Sequence, residues 1–160
     1  MNSNDHANAL DPTDTVPRIV RLGGMGKPAL LRALHDAHVQ LNAAATALFD
    51  DDRFIPSDVS RSLRIAALTV ADLGFDAGAT YEQLVARARD AGWAECPLEL
   101  GPHLRLQFLH QPEGAASAPP TRHRAPPGSI TIASPPLDGS DDTPKGFYLR
   151  RIDGDLWLKG

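Results

Sequence analysis

The fold class of this chain is decided by its last stretch, Phe147-Tyr-Leu-Arg-Arg-Ile-Asp-Gly-Asp-Leu-Trp-Leu-Lys159. Two runs rich in aromatic and branched side chains flank Asp153 and Gly154, and an Asp-Gly pair in that position is the strongest short-range signal for a β-hairpin. Both central residues of a type I′ turn need a positive φ, which glycine adopts freely and aspartate tolerates. The sequence therefore predicts antiparallel strands over 147–152 and 155–159.

The first half of the chain has a helical pattern instead. Apolar residues between 27 and 50 recur at spacings of three and four, which places them on one face of a helix. One long helix would satisfy this pattern, but we prefer two helices, 28–37 and 42–50. Proline at position 28 suits the first turn of a helix, and asparagine at position 42 is a good N-cap for the second.

Four further segments complete the predicted secondary structure. A helix is expected over 81–91, because Thr80 just before it and Gln83 in its first turn match a capping box. Alternating apolar residues predict strands over 62–70 and 129–134. A helix is the alternative for 62–70, because that run is rich in alanine. The segment 102–109 fits either a strand or a helix, and the Gly-Pro pair at its start favours a helix.

These elements predict a single α+β domain at 18–160, with N-terminal helices packed on a small antiparallel sheet that ends in a C-terminal β-hairpin. Three segments form the predicted sheet and a fourth is a candidate addition: 129–134, 147–152, 155–159 and 62–70. Residues 1–17 are polar and predict a disordered tail. Residues 111–128 are rich in Pro, Ala, Gly and Arg, and they predict a flexible surface loop.

Composition and charge argue against several classes of protein. The 160 residues are 42% hydrophobic, which suffices for one core. The net charge of -4 argues against a dedicated nucleic-acid binder, which usually carries a basic footprint. The single cysteine, Cys96, rules out an intrachain disulfide and favours a reducing compartment. The polar N-terminus and the lack of an apolar run of about 18 residues predict a soluble cytoplasmic protein without a membrane span.

Three motifs suggest a ligand but lack an essential part. The run Leu22-Gly-Gly-Met-Gly-Lys-Pro28 looks like a phosphate-binding loop, yet arginine stands where its first glycine belongs and proline replaces its hydroxyl residue. His35 and His38 are three residues apart on a predicted helix, but two ligands do not make a metal site. A helix-turn-helix over 27–50 would have a second helix with almost no base-reading side chains. We therefore predict no cofactor and no bound metal.

The candidates for catalysis are Cys96, Glu99 and His103, which lie within eight residues of one another. A thiolate, a carboxylate and an imidazole could form a nucleophilic site or three zinc ligands, so a small hydrolase using Cys96 and His103 is the alternative function. Glutamates on both sides would raise the pKa of the thiol, and no lysine or arginine is near enough to lower it. We therefore expect a structural cysteine, and the balance favours a protein that is not an enzyme.

The surface that the sequence nominates for binding lies on the predicted hairpin. Strand alternation puts Tyr148 and Arg150 on one face, and Trp157 follows on the next strand. Such an aromatic and cationic surface suits a protein, a peptide or a sugar. Our leading expectation is a non-catalytic binding or protein-interaction module whose partner is unknown. A third interpretation, an accessory nucleic-acid binder, would use Arg122, Arg124, Arg150 and Arg151.

Overall fold

The structure is a computed structural model that describes residues 15–114 and 126–160. Within those residues the chain forms four helices and six strands, in an α+β arrangement as predicted. In chain order they are β1 Ile19–Leu22, α1 Lys27–Asp36, β2 Val39–Leu41, α2 Ala43–Asp50, β3 Arg61–Arg64, α3 Tyr81–Asp90, α4 Leu100–Gln107, β4 Ile130–Thr131, β5 Tyr148–Ile152 and β6 Asp155–Lys159. None of the four helices in these ranges is long and apolar enough to cross a bilayer.

The strands belong to two separate sheets. The larger sheet has the order β2-β6-β5-β4, in which β5 pairs antiparallel with both β6 and β4. The smaller sheet consists of β1 and β3, paired antiparallel. The candidate strand 62–70 was therefore wrong in its extent and in its place. It ends at Arg64 and joins β1, because β1 offers only four residues to pair with.

The C-terminal hairpin is confirmed. Strands β5 and β6 pair from Tyr148 opposite Lys159 to Ile152 opposite Asp155. The turn residues Asp153 and Gly154 have φ values of 52° and 85°. A positive φ at both central positions is the type I′ geometry, whose twist matches that of the flanking strands.

The division of the first helical region into two helices is also confirmed. The Asn42 side chain caps α2 by accepting a hydrogen bond from the backbone N–H of Ala45 at 2.9 Å. The sequence did not predict that the residues between the helices form β2, which pairs parallel with β6. His38 has a φ of 56°, a conformation uncommon outside glycine, at the point where the chain leaves α1 and enters β2.

Helix α4 is the central element of the core, and the helical interpretation of 102–109 is confirmed with bounds two residues earlier. It contacts α1, β1, β5 and β6, and six of its eight residues are buried. Gly101 packs against the ring of Phe147, because a Cβ built at this glycine would lie 2.6 Å from the Phe147 Cβ. Phe147 in turn contacts the rings of Phe49 and Phe54, with centroids 5.5 Å and 5.9 Å away.

Helix α3 lies at the margin of the fold. Its capping box is confirmed, since the Thr80 hydroxyl accepts from the Gln83 backbone and the Gln83 side chain accepts from the Thr80 backbone. None of its residues is fully buried, and its least exposed residues, Leu84, Val85 and Ala88, are only half-buried. Local capping rather than core packing therefore fixes where this helix begins.

Parts of the predicted tail and loop, residues 1–14 and 115–125, lie outside the described residues. Val16, within the predicted tail, is buried in the core. Gln111, at the start of the predicted loop, is buried too, and its side-chain amide donates to the carbonyls of Gly128 and Leu149. These contacts fix the first described residue of the loop against β5.

Candidate functional site

The C-terminal sheet has one face in the core and another that points away from it. Leu149 and Leu158 oppose each other on the inner face, and both are fully buried. Alternation along the strands puts their neighbours on the opposite face. We call this the outer sheet face and define it by its four central residues, Tyr148, Arg150, Trp157 and Lys159.

The strand register brings the three predicted binding residues together. Arg150 lies directly opposite Trp157, and Tyr148 lies directly opposite Lys159. Residues opposed in this way have Cβ atoms about 5 Å apart, close enough for their side chains to interact. All four side chains are half-buried. The sequence did not nominate Lys159, although the alternation that selects Trp157 also selects it.

Two cations share the outer sheet face without an acidic partner. Within residues 15–114 and 126–160, neither Arg150 nor Lys159 forms an ion pair with a carboxylate. The Lys159 Nζ lies over the indole of Trp157, 4.9 Å from the ring centroid. Burial and the nearby charge of Arg150 lower the pKa of Lys159. Both effects disfavour the protonated amine, and a bound anion would stabilise this protonated form.

Polar side chains extend this surface on both sides. Gln40 of β2 pairs with Trp157, and Thr131 of β4 pairs with Tyr148. Both are exposed. Asp155 also belongs to this side of the hairpin, at the end next to the turn. The surface therefore has an aromatic and cationic centre with uncharged flanks, and the carboxylate of Asp155 lies near its end.

Beneath the outer sheet face, a buried arginine ties helix α4 to β6. Arg105 is fully buried, and its Nη1 donates to the Gln111 side chain at 2.6 Å and to the Trp157 carbonyl at 3.4 Å. Its Nη2 donates to the carbonyl of Phe108. Burial and the neighbouring charge of Arg151 lower the pKa of Arg105 to about 10. The backbone of Trp157 is thus held from the core side.

The three catalytic candidates point to different neighbours. Cys96 is half-buried, and burial together with the charge of Glu95 raises the pKa of its thiol. Glu99 is buried, and its carboxylate accepts from the Ser57 backbone at 2.8 Å and pairs with Arg61 at 3.3 Å. Neither contact involves the thiol. A thiol with a raised pKa is mostly protonated at neutral pH and is a poor nucleophile.

His103 is 4% exposed and faces the glycine-rich turn after β1. Its Nε2 accepts a hydrogen bond from the Gly23 N–H at 3.1 Å, so this nitrogen is unprotonated. Burial lowers the pKa of His103, which favours the same neutral form. The Gly24 N–H donates to the carbonyl of Ser57 at 2.8 Å. The amides of Gly23 and Gly24 are therefore engaged within the protein.

The predicted histidine pair does not form a cation site among the described residues. His35 and His38 are both exposed, and the Nδ1 of His35 lies 3.4 Å from the carboxylate of Asp36. In the described parts of the chain, no three His, Cys, Asp or Glu residues lie close enough together to hold a metal ion. Arg122 and Arg124, which the nucleic-acid interpretation would use, lie outside the described residues.

Comparison with known proteins adds no assignment: no protein-family model, no curated protein and no solved structure matches this chain. The choice of a functional surface therefore depends on the geometry of this structure. Among the arrangements described above, the outer sheet face combines aromatic area with charges that lack a partner.

Proposed function

We propose that this chain is a non-catalytic, cytoplasmic binding module that recognises an acidic segment of a partner protein through its outer sheet face. The observation that carries the proposal is the placement of Arg150 and Lys159 around Trp157 with no carboxylate paired to either cation in the described chain. The single cysteine, which permits no intrachain disulfide, agrees with a reducing cytoplasm.

The chemistry of this surface favours carboxylate and aromatic groups on the partner. A guanidinium binds a carboxylate through two parallel hydrogen bonds, and Arg150 carries a guanidinium on the outer sheet face. Trp157 and Tyr148 offer rigid apolar area, which costs little conformational entropy on binding. Tryptophan, tyrosine and arginine are the residues that most often dominate binding energy at protein interfaces.

A role without catalysis is supported by what the catalytic candidates already bind. The Glu99 carboxylate is committed to Ser57 and Arg61, and the His103 Nε2 is committed to Gly23. The Cys96 thiol has a raised pKa. A nucleophilic site needs a base free to take the proton of its nucleophile, which this arrangement does not supply.

An acidic peptide fits this surface better than a nucleic acid does. Two adjacent cations match a few carboxylates, whereas a nucleic acid brings a long row of phosphates. The protein carries a net charge of -4, and Asp155 lies on the same face of the hairpin. The overall field therefore opposes a polyanion while the local charges attract a short acidic segment.

The proposal is tested by titrating the protein into a fluorescein-labelled peptide that alternates glutamate with phenylalanine and recording fluorescence anisotropy. We expect Arg150→Ala and Trp157→Ala each to weaken binding about tenfold or more, as loss of a central interface residue does. Arg32→Ala, which removes an exposed arginine of α1, is the matched control and should bind normally.

Two further probes define the recognition. A peptide with lysine in place of glutamate should not bind, and an oligothymidylate should bind less tightly than the acidic peptide. Equal affinity of the wild type, the Arg150→Ala variant and the Trp157→Ala variant would refute the outer sheet face as the binding surface. Tighter binding of the oligothymidylate would favour the nucleic-acid interpretation instead.

A further inference from the structure

In the small sheet of β1 and β3, the backbone groups on the outer edge of β1 are bonded by a side chain. The side-chain amide of Gln107, at the end of α4, bonds to the backbone of Arg21 in the manner of a neighbouring strand. Its Oε1 accepts from the Arg21 N–H at 3.0 Å, and its Nε2 donates to the Arg21 carbonyl at 2.6 Å. The outward-facing backbone groups at the centre of β1 are thereby satisfied.

The opposite edge, along β3, has no such cover. The Ile65 N–H donates to the Arg18 carbonyl, and hydrogen-bonded pairs alternate along an antiparallel ladder. Leu63 therefore bonds to β1, while the N–H and C=O groups of Ser62 and Arg64 point away from it. In the described chain no strand lies beyond β3 in this sheet. The edge is available for a further strand.

Basic and apolar side chains are exposed on and beside both strands of this small sheet. Arg18, Arg21 and Arg64 are exposed, and none of the three forms an ion pair within the described residues. Two exposed apolar residues lie beside them: Ile19, 65% exposed on β1, and Val59, 70% exposed just before β3. The small sheet thus combines unpaired backbone groups, unpaired positive charge and apolar area.

We propose that the free edge of β3 binds an extended acidic segment of a partner protein, which adds to the small sheet as a third strand. Main-chain hydrogen bonds to Ser62 and Arg64 would hold the segment, and its acidic side chains would meet Arg64 on this edge and the positive charge of the neighbouring strand. This site lies in a different sheet from the outer sheet face and does not depend on it.

The charges select this occupant over a second copy of the chain. Two β3 edges brought together would bring the Arg64 side chains of both copies close to each other, because β3 is only four residues long, and like charges across a strand pair are destabilising. Charged residues on an edge strand are a known device against self-association. The same charges attract a strand of opposite sign, so an acidic segment gains both the hydrogen bonds and the charge pairing.

Amide hydrogen exchange measured by NMR tests the proposal on the intact chain. The probe is a short peptide of alternating glutamate and valine. At saturation we expect exchange of the Ser62 and Arg64 amides to slow about tenfold or more, because they become hydrogen-bonded. The Leu63 amide, already bonded to β1, should change little. Binding of this peptide with no added protection at Ser62 and Arg64 would overturn the proposal, and so would a failure to bind.

Three controls separate strand addition from other binding. The same peptide with its edge-facing amides N-methylated keeps its charge but cannot donate hydrogen bonds, so it should bind at least about tenfold more weakly. Arg64→Glu should weaken binding to a similar degree, whereas Arg32→Glu on α1 should weaken it much less. Trp157→Ala should leave protection at Ser62 and Arg64 unchanged. Equal binding of the N-methylated peptide, or loss of protection in Trp157→Ala, would contradict a site at β3.

Discussion

Substitution of Gly101 by alanine tests how tightly α4 is packed on the C-terminal sheet. Helix propensity alone predicts that glycine to alanine within a helix stabilises by about 1 kcal/mol. At this position, however, the new Cβ would lie 2.6 Å from the Cβ and 2.7 Å from the Cδ2 of Phe147. Phe147 is 1% exposed and is held by the rings of Phe49 and Phe54, so it has no space into which to move.

Overpacking of a closed core costs about 1–3 kcal/mol, and contact at this distance belongs at the upper end of that range. After subtraction of the propensity gain, we expect Gly101→Ala to lower the free energy of unfolding by about 2 kcal/mol. Urea denaturation followed by circular dichroism should show a lower midpoint with an unchanged slope. The control is Gly139→Ala, where the added Cβ meets no atom within 4 Å and stability should stay within about 0.5 kcal/mol. A Gly101→Ala variant more stable than the wild type would refute the packing of α4 on Phe147.

Three other substitutions check separate parts of the structure. His103 accepts from Gly23 only when its ring is neutral, and its pKa is lowered in the folded protein, so the unfolded chain binds more protons. The free energy of unfolding should therefore fall as the pH drops below about 6.5, and His103→Gln should flatten this pH dependence in urea titrations. Gly154→Val forces a branched residue to a φ of 85° with open space around it, so backbone strain alone should cost about 1–2 kcal/mol in thermal unfolding; unchanged stability would argue against the turn. Cys96→Ala should lower the free energy of unfolding by about 1 kcal/mol. Because the pKa of the native thiol is raised, it should react with iodoacetamide at pH 7 more slowly than free cysteine does, and a faster reaction would indicate an activated thiolate.

Features of the fold that depend on local chemistry could be predicted from the sequence. The hairpin follows from the φ preferences of Asp153 and Gly154, and the starts of α2 and α3 follow from the side chains of Asn42 and Thr80. Each of these signals acts within a few residues of the position it determines. They therefore survive whatever the rest of the chain does.

Features that depend on distant pairing could not be predicted in this way. Strand β2 has three residues, and its partner β6 lies more than a hundred positions later in the chain. The alternation in 62–70 continues past Arg64, but a strand needs a partner for its backbone groups and β1 is only four residues long. The length of a strand and its partner depend on the positions of distant segments, and local periodicity carries no information about those positions.

The same contrast between local and distant determinants applies to the candidate sites. Alternation along the hairpin is sufficient to put Tyr148, Arg150 and Trp157 on one face, and it would also have identified Lys159. Closeness in sequence was a poor guide for Cys96 and His103, since the histidine faces Gly23, eighty positions away. The free edge of β3 can be recognised only when it is known that β3 pairs with β1 and that Gln107 bonds to the other edge of β1.

The most direct test of the outer sheet face follows the two indole N–H signals by NMR while the glutamate–phenylalanine peptide is added. Trp157 lies at the centre of the outer sheet face, whereas Trp93 is exposed in the segment after α3. We predict that the Trp157 indole signal shifts in a saturable way, that the Trp93 signal stays in place, and that Arg150→Ala abolishes most of the shift. A shift confined to Trp93, or a Trp157 shift that Arg150→Ala leaves intact, would contradict binding through the outer sheet face.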